Sequence, residues 1–202
     1  MADLTALALI CSLTPSPEPS SSELLARHVL DELATHGVSG TSLRIVDHNV
    51  MPGVQINMGD GDAWPGIRDK ILAADILVLA TPIWMGHPSS ITQRVIERLD
   101  ADLSETDDAG RPIMYGKVAI VAVVGNEDGA HKTVADTQQA LNDVGFTLPA
   151  QGATYWVGEA MQTVDYKDLD TVPEKVASAT AGAARNAAHL ARALAQAPYP
   201  AG

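Results

Sequence analysis

Short, unbroken apolar runs alternate along this chain with stretches whose apolar residues recur every three or four positions. Ala6 to Cys11 is the first run; closed by Ser, Thr and Pro residues, it reads as a strand covered on both faces. Beyond the Pro-rich segment Leu13 to Pro19, Ser20-Ser21-Ser22-Glu23 offers N-caps to a helix carrying Leu24, Leu25, Val29, Leu30 and Leu33, and Gly37 stops it. Leu43, Ile45 and Val46 predict a second short strand. A long loop follows, with Pro52, Gly53, Gly59, Asp60, Gly61 and Asp62, and its length suggests a working role. Trp64 to Ala73 predicts a short helix with Pro65 in its first turn, and Ile76 to Ala80 a third, fully apolar strand. Pro88-Ser89-Ser90 opens a helix to about Leu99, Val118 to Val124 reads as a fourth strand, and Lys132 to Val144 as a helix closed by Gly145. Thr147 to Val157 holds a fifth strand interrupted by Pro149 and Gly152. The Ala-rich stretch Val172 to Ala195 predicts a last helix, ended by Pro198 and Pro200.

Five strands alternating with helices argue for an α/β fold with a doubly wound parallel sheet and helices on both faces. Ligands of such sheets sit outside the carboxyl ends of the strands, where strand order reverses. The loops to search are therefore Ser12 to Ser22, Thr81 to Ser90, Gly125 to His131 and Tyr155 to Met161.

Composition narrows the partners. At 202 residues, with 46% apolar and 19% charged residues, the chain suits one domain, 1–202, with a Pro-containing tail over about 197–202. The run Ala6 to Cys11 is far below the ~20 residues needed to cross a bilayer, so no membrane span is expected. The start Met1, Ala2, Asp3 lacks the positive charge of a secretory signal, and the lone Cys11 reads as a reduced core thiol; both favour the cytoplasm. Twenty-five acidic against thirteen basic residues give a net charge of −12, which repels nucleic acid and anionic lipid. An anionic cofactor then has to be held by backbone N–H groups and hydroxyls rather than by clustered Lys and Arg.

Three loops carry chemistry. Cys11 to Ser22 brings six hydroxyls, among them Ser12, Thr14, Ser20, Ser21 and Ser22, to the amino end of a helix. Unpaired N–H groups and the helix dipole there suit a phosphate; the plainer alternative is a Pro/Ser linker with a serine cap. Thr81-Pro82-Ile83-Trp84-Met85-Gly86-His87-Pro88-Ser89-Ser90 combines a flexible glycine with apolar surface, which suits a flat ring, unless Trp84 simply packs in the core. In the third loop, Gly125 and Gly129 flank Asn126 and Glu127, so backbone and amide groups can meet a ligand edge; a solvated acidic turn is the alternative.

Together these loops, over about Leu4 to Met161, resemble the flavodoxin-like family of NAD(P)H-dependent FMN reductases and related quinone reductases. The most specific element is the Thr81 to Ser90 segment, similar to the family's Thr/Ser-Pro-x-Tyr/Trp-x-Gly-x-x-Ser stretch. The resemblance implies strand order 2-1-3-4-5, FMN as cofactor and NAD(P)H as transient reductant. It implies that Pro82, Ile83, Trp84, Met85 and Gly86 line the flavin ring, that Ser12, Thr14 and Ser20 to Ser22 hold the phosphate, and that Gly125, Asn126, Glu127 and Gly129 form a second ring-facing loop. Tyr155 and Trp156 are further candidates to cover the flavin or to pack at a subunit interface, with a plain core role the alternative. The phosphate loop departs from the family by being Pro-rich instead of a compact Gly-Ser-x-Arg turn.

His87 and His131, at strand ends, are candidate donors to substrate or flavin, though histidine there is more often structural. Asp60 and Asp62 read as solvated turn acids. No Gly-x-Ser-x-Gly elbow and no His-Glu-x-x-His spacing appears, which leaves acyl transfer and a dedicated metal site without support. The expected activity is hydride transfer from NAD(P)H through FMN to a quinone, flavin or similar small acceptor. The competing expectation is an electron carrier or FMN-dependent interaction module, its acidic surface steering basic partners. The long helical tail and the loop aromatics are compatible with a homodimer.

Overall fold

A computed structural model describes residues 3–201; Met1, Ala2 and Gly202, the ends of the expected domain, lie outside them. The elements are β1 (Leu4–Ile10), α1 (Ser21–Thr35), β2 (Val38–Arg44), α2 (Trp64–Ala73), β3 (Ile76–Trp84), β4 (His87–Pro88), α3 (Ser90–Leu99), β5 (Val118–Gly125), α4 (Ala130–Val144), β6 (Ala153–Val157) and α5 (Glu174–Gln196). Five strands are parallel in the order β2-β1-β3-β5-β6. The two-residue β4 is an antiparallel ribbon on the end of β3, pairing Ile83 with Pro88 and Trp84 with His87. The flavodoxin-like α/β fold is thus present, with β4 as the one addition to the five strands read from the sequence.

Period-two alternation divides the core. Ala6, Ala8 and Ile10 with Ile76, Val78 and Ala80 face α1 and α5, while Leu7 and Leu9 with Leu77 and Leu79 face α2, α3 and α4. Helix α5 lays Ala183, Ala184, Ala187, Ala188 and Ala191 on the sheet, so its alanine content sets how closely the helix approaches as well as its helical propensity.

Two expectations need correction. The second strand runs over Val38–Arg44, and Ile45–Asp47 forms a single 3-10 turn instead. As a sheet edge it exposes Ser39, Gly40, Thr41 and Ser42, so it carries no apolar run. The long loop after it is knitted from within. Asp62 is not a solvated turn acid: its fully buried carboxylate pairs with the fully buried Arg98 at 2.8 Å. It accepts from the N–H groups of Met58, Trp64 and Met51 at 2.9, 3.1 and 3.2 Å. Burial alone raises its carboxyl, but the Met58 N–H, Arg98 and the other donors bring it down to about 2. Arg98 also donates to the carbonyls of Met51 and Gln55, both at 2.7 Å, so the loop's length serves internal packing. The fifth parallel strand is confined to Ala153–Val157, since Pro149 and Gly152 interrupt pairing upstream.

Candidate functional site

Strand order reverses between β1 and β3, and the loops leaving these strands open a cleft of about 450 Å³ at their carboxyl ends. That volume lies in the ordinary range for small-molecule sites. One end is lined by Ser12, Leu13, Thr14 and Pro19 to Ser22; the other by Pro82 to Met85 and Val124 to Glu127; Trp156, Met161, Gln162 and Asp165 to Lys167 close the side.

The hydroxyl-rich end owes its shape to local chemistry. Ser20 caps α1, its side chain accepting from the Glu23 N–H at 3.4 Å, and the Ser12 hydroxyl accepts from the Thr14 N–H at 3.1 Å. Behind the loop, the buried Arg44 donates to the carbonyls of Thr14 at 3.2 Å and Glu18 at 2.8 Å and pairs with Glu23. Asp47 holds the Ser16 N–H at 2.8 Å and its hydroxyl at 2.6 Å. The prolines and these anchors fix a loop that lacks the usual compact turn.

The ring-facing end is built on buried hydroxyls. Ser89 donates to the Cys11 carbonyl at 2.6 Å and accepts from the Thr92 N–H at 3.2 Å as the cap of α3. Thr81 accepts from the Ser89 N–H at 3.1 Å and from the Thr92 hydroxyl at 2.7 Å. The root of the serine-rich loop and the root of the tryptophan-bearing loop are thereby tied together. At the tip, Met85 adopts φ 54°, and its N–H donates to the Glu127 carboxylate at 2.7 Å. Gly129, at φ 120°, presses on the Gly86 backbone so closely that a Cβ there would stand 2.8 Å from the Gly86 Cα. Only glycine lets the second and third loops meet at this point. Gly86 and Gly129 thus shape the wall from behind it.

Burial leaves an apolar floor beneath exposed Trp84 and Met85 and a partly polar edge at Asn126. The Asn126 Nδ2 donates to Asp165 at 2.8 Å, whereas its Oδ1 is buried without a hydrogen-bond partner among the described residues. Such an atom has an unmet need for a donor, and a flavin carries one N–H between two carbonyls on its pyrimidine edge. The donor set therefore fits a flavin: hydroxyls and a helix amino end for a phosphate, apolar surface for a ring, and an acceptor for the ring's N–H.

Three expected residues lie elsewhere. Tyr155 points to the far side of β6, where its hydroxyl meets His131 Nε2 at 2.9 Å in a separate cavity of about 280 Å³. The period-two alternation of β6 sends Tyr155 and its neighbour Trp156 to opposite faces, and Trp156 is the one that lines the cleft. His87 turns outward to Lys132, 3.0 Å from its ammonium. Neither histidine lines the cleft. The sequence reading missed the segment after Met161, where Gln162, Asp165, Tyr166 and Lys167 join the wall. It has no Gly-rich turn and no apolar run; its signal was only that it continues a strand-ending loop. Tyr166 is buried, its hydroxyl 2.9 Å from His28 Nδ1, and burial pushes its phenol up to about 12.

Residues 4–162 match the model of the family described as NADPH-dependent FMN reductase. The chain is 30% identical over 209 residues to the 8-demethyl-8-aminoriboflavin-5′-phosphate synthase of Streptomyces davaonensis, covering 97% of this chain and 80% of that protein. It is 37% identical over 169 residues to a protein of Mycobacterium bovis named divalent metal cation transporter MntH, covering 82% of this chain but 25% of that protein. No helix among the described residues is long and apolar enough to cross a membrane. Among solved structures, RosB with bound 8-demethyl-8-formylriboflavin-5′-phosphate is similar with a TM-score of 0.85 and 29% identity, over 97% of this chain and 82% of RosB.

Proposed function

The chain belongs to the NADPH-dependent FMN reductase family, whose cofactors are FMN and NAD(P)H, and from that premise we propose that its cleft binds FMN and passes hydride from NAD(P)H to a quinone, a flavin or a similar small acceptor. The observation that carries this reading is the convergence of a serine-rich helix amino end and the Pro82 to Met85 loop on one cleft. Ser12, Thr14 and Ser20 to Ser22 hold the phosphate through hydroxyls and the N–H groups of the first turn of α1. Pro82, Ile83, Trp84 and Met85 lie along one side of the ring, with Gly125, Asn126 and Glu127 at its edge. FMN held there would supply the redox chemistry that links the nicotinamide to the acceptor.

The protein's part is position and electrostatics. Asn126 Oδ1 orients the ring, Glu127 fixes the left-handed Met85 that borders it, and the apolar loop excludes water from one face. The buried Cys11 thiol, which burial pushes up to about 12, takes no part. Trp84, Met85 and Met161 are 55, 86 and 95% exposed around the mouth, which supports a homodimer that shields it.

A second reading has a specific basis. The long similarity to the aminoriboflavin-phosphate synthase and to RosB favours a flavin phosphate that is itself the substrate. One experiment separates the readings. FMN is titrated into the purified protein by fluorescence quenching; NADH or NADPH is then added anaerobically with a quinone, and the flavin's mass is measured afterwards. Steady NAD(P)H oxidation with an unchanged flavin supports the reductase, an altered flavin mass supports the second reading, and oxidation only with an added partner reductase supports the carrier. Absence of FMN quenching refutes flavin binding altogether.

A further inference from the structure

Lys167 lies beyond residue 162, where the family match ends, and is the one Lys or Arg among the described residues that line the cleft. The 3-10 turn Tyr166–Asp168 places it under the amino end of α1, with the Lys167 N–H donating to the Ser21 hydroxyl at 3.2 Å. Its side chain is 29% exposed, and its ammonium is braced by the carboxylates of Asp165 and Asp168, each at 2.9 Å. The neighbouring cation, Arg44, is no substitute. It is buried behind the loop, committed to the Thr14 and Glu18 carbonyls and to Glu23, and does not line the cleft.

This arrangement resolves an electrostatic difficulty. A flavin phosphate brings about two negative charges into a chain of net charge −12, beside Asp165 on the same wall and Asp168 next to it. The α1 amino end offers only about half a positive charge. Lys167 offsets both carboxylates and lines the cleft together with Ser20 to Ser22, its own N–H bonded to the Ser21 hydroxyl. Resting on the flavin reading above, we propose that Lys167 is the cation that selects phosphorylated flavin over riboflavin. Asp165 connects it to Asn126, so the residue for the phosphate and the residue for the ring edge share one carboxylate.

The test compares FMN and riboflavin binding to the full chain by fluorescence titration, at low and high salt, for wild type, Lys167→Met and Lys167→Arg. A charge-assisted contact predicts that Lys167→Met weakens FMN on the order of ten-fold, leaves riboflavin unchanged and flattens the salt dependence of FMN binding. Lys167→Arg restores FMN affinity. Unchanged FMN affinity in Lys167→Met, or equal weakening of both flavins, overturns the proposal, the latter marking a purely structural role. Riboflavin binding reports an intact cleft in each variant. Wild type that binds neither flavin overturns the underlying reading, an outcome distinct from loss of selectivity.

Discussion

Ser89→Ala removes the hydroxyl that joins the two halves of the cleft. Ser89 is buried, and its oxygen both caps α3 at the Thr92 N–H, 3.2 Å away, and donates to the Cys11 carbonyl at 2.6 Å. Loss of an N-cap serine costs about 1 kcal/mol. Depriving the buried Cys11 carbonyl of this donor adds roughly 1 to 3 kcal/mol. The sum, about 2 to 4 kcal/mol, is a large share of the roughly 5 to 15 kcal/mol that holds a domain folded. Urea unfolding checks it: the midpoint falls while the slope is kept, since no change in exposed area is expected. FMN affinity falls in the same variant, because Ser12 follows Cys11 directly and Trp84 lies on the loop that Ser89 anchors. Ser90→Ala, exposed at the next position, is the control and changes stability by less than about 0.5 kcal/mol. A loss in Ser89→Ala below about 1 kcal/mol, or one matched by Ser90→Ala, refutes the view that this hydroxyl network ties the loops.

Gly129→Ala places a Cβ 2.8 Å from the Gly86 Cα at φ 120°, so the loops must part. Strain of about 1 to 2 kcal/mol and a marked loss of FMN affinity are expected in thermal unfolding and fluorescence titration; wild-type FMN affinity in a folded variant contradicts the close approach. The acid limb of the stability curve follows from Asp62, whose carboxyl sits at about 2 when folded against an ordinary 3.8. The unfolded chain therefore binds the extra proton between these values, so this contribution is complete above about pH 4 and disappears as pH falls through about 2. Asp62→Asn strands Arg98 in the core, costs roughly 3 to 5 kcal/mol at neutral pH and flattens that limb in urea titrations from acid to neutral pH; parallel curves for variant and wild type contradict it.

Much of this protein is written locally. The apolar runs of β1, β3 and β5 read as strands covered on both faces, and each puts alternate residues into one of two cores. The caps Ser20 and Ser89 and the stop Gly145 fall where side-chain oxygens or a positive φ are required. The loops after β1, β3 and β5 were therefore legible as walls of one cleft, since strand periodicity fixes which end of the sheet they leave. Tertiary structure decided what periodicity cannot encode. Edge strand β2 is held by pairing with β1 rather than by apolar content, Asp62 is buried by an arginine 36 positions away, and β6 turns Trp156 rather than Tyr155 to the cleft. Lys167 reaches α1 across 146 residues through a polar turn without pattern of its own. Short-range sequence specifies backbone conformation, whereas which charges meet depends on how the chain closes on itself.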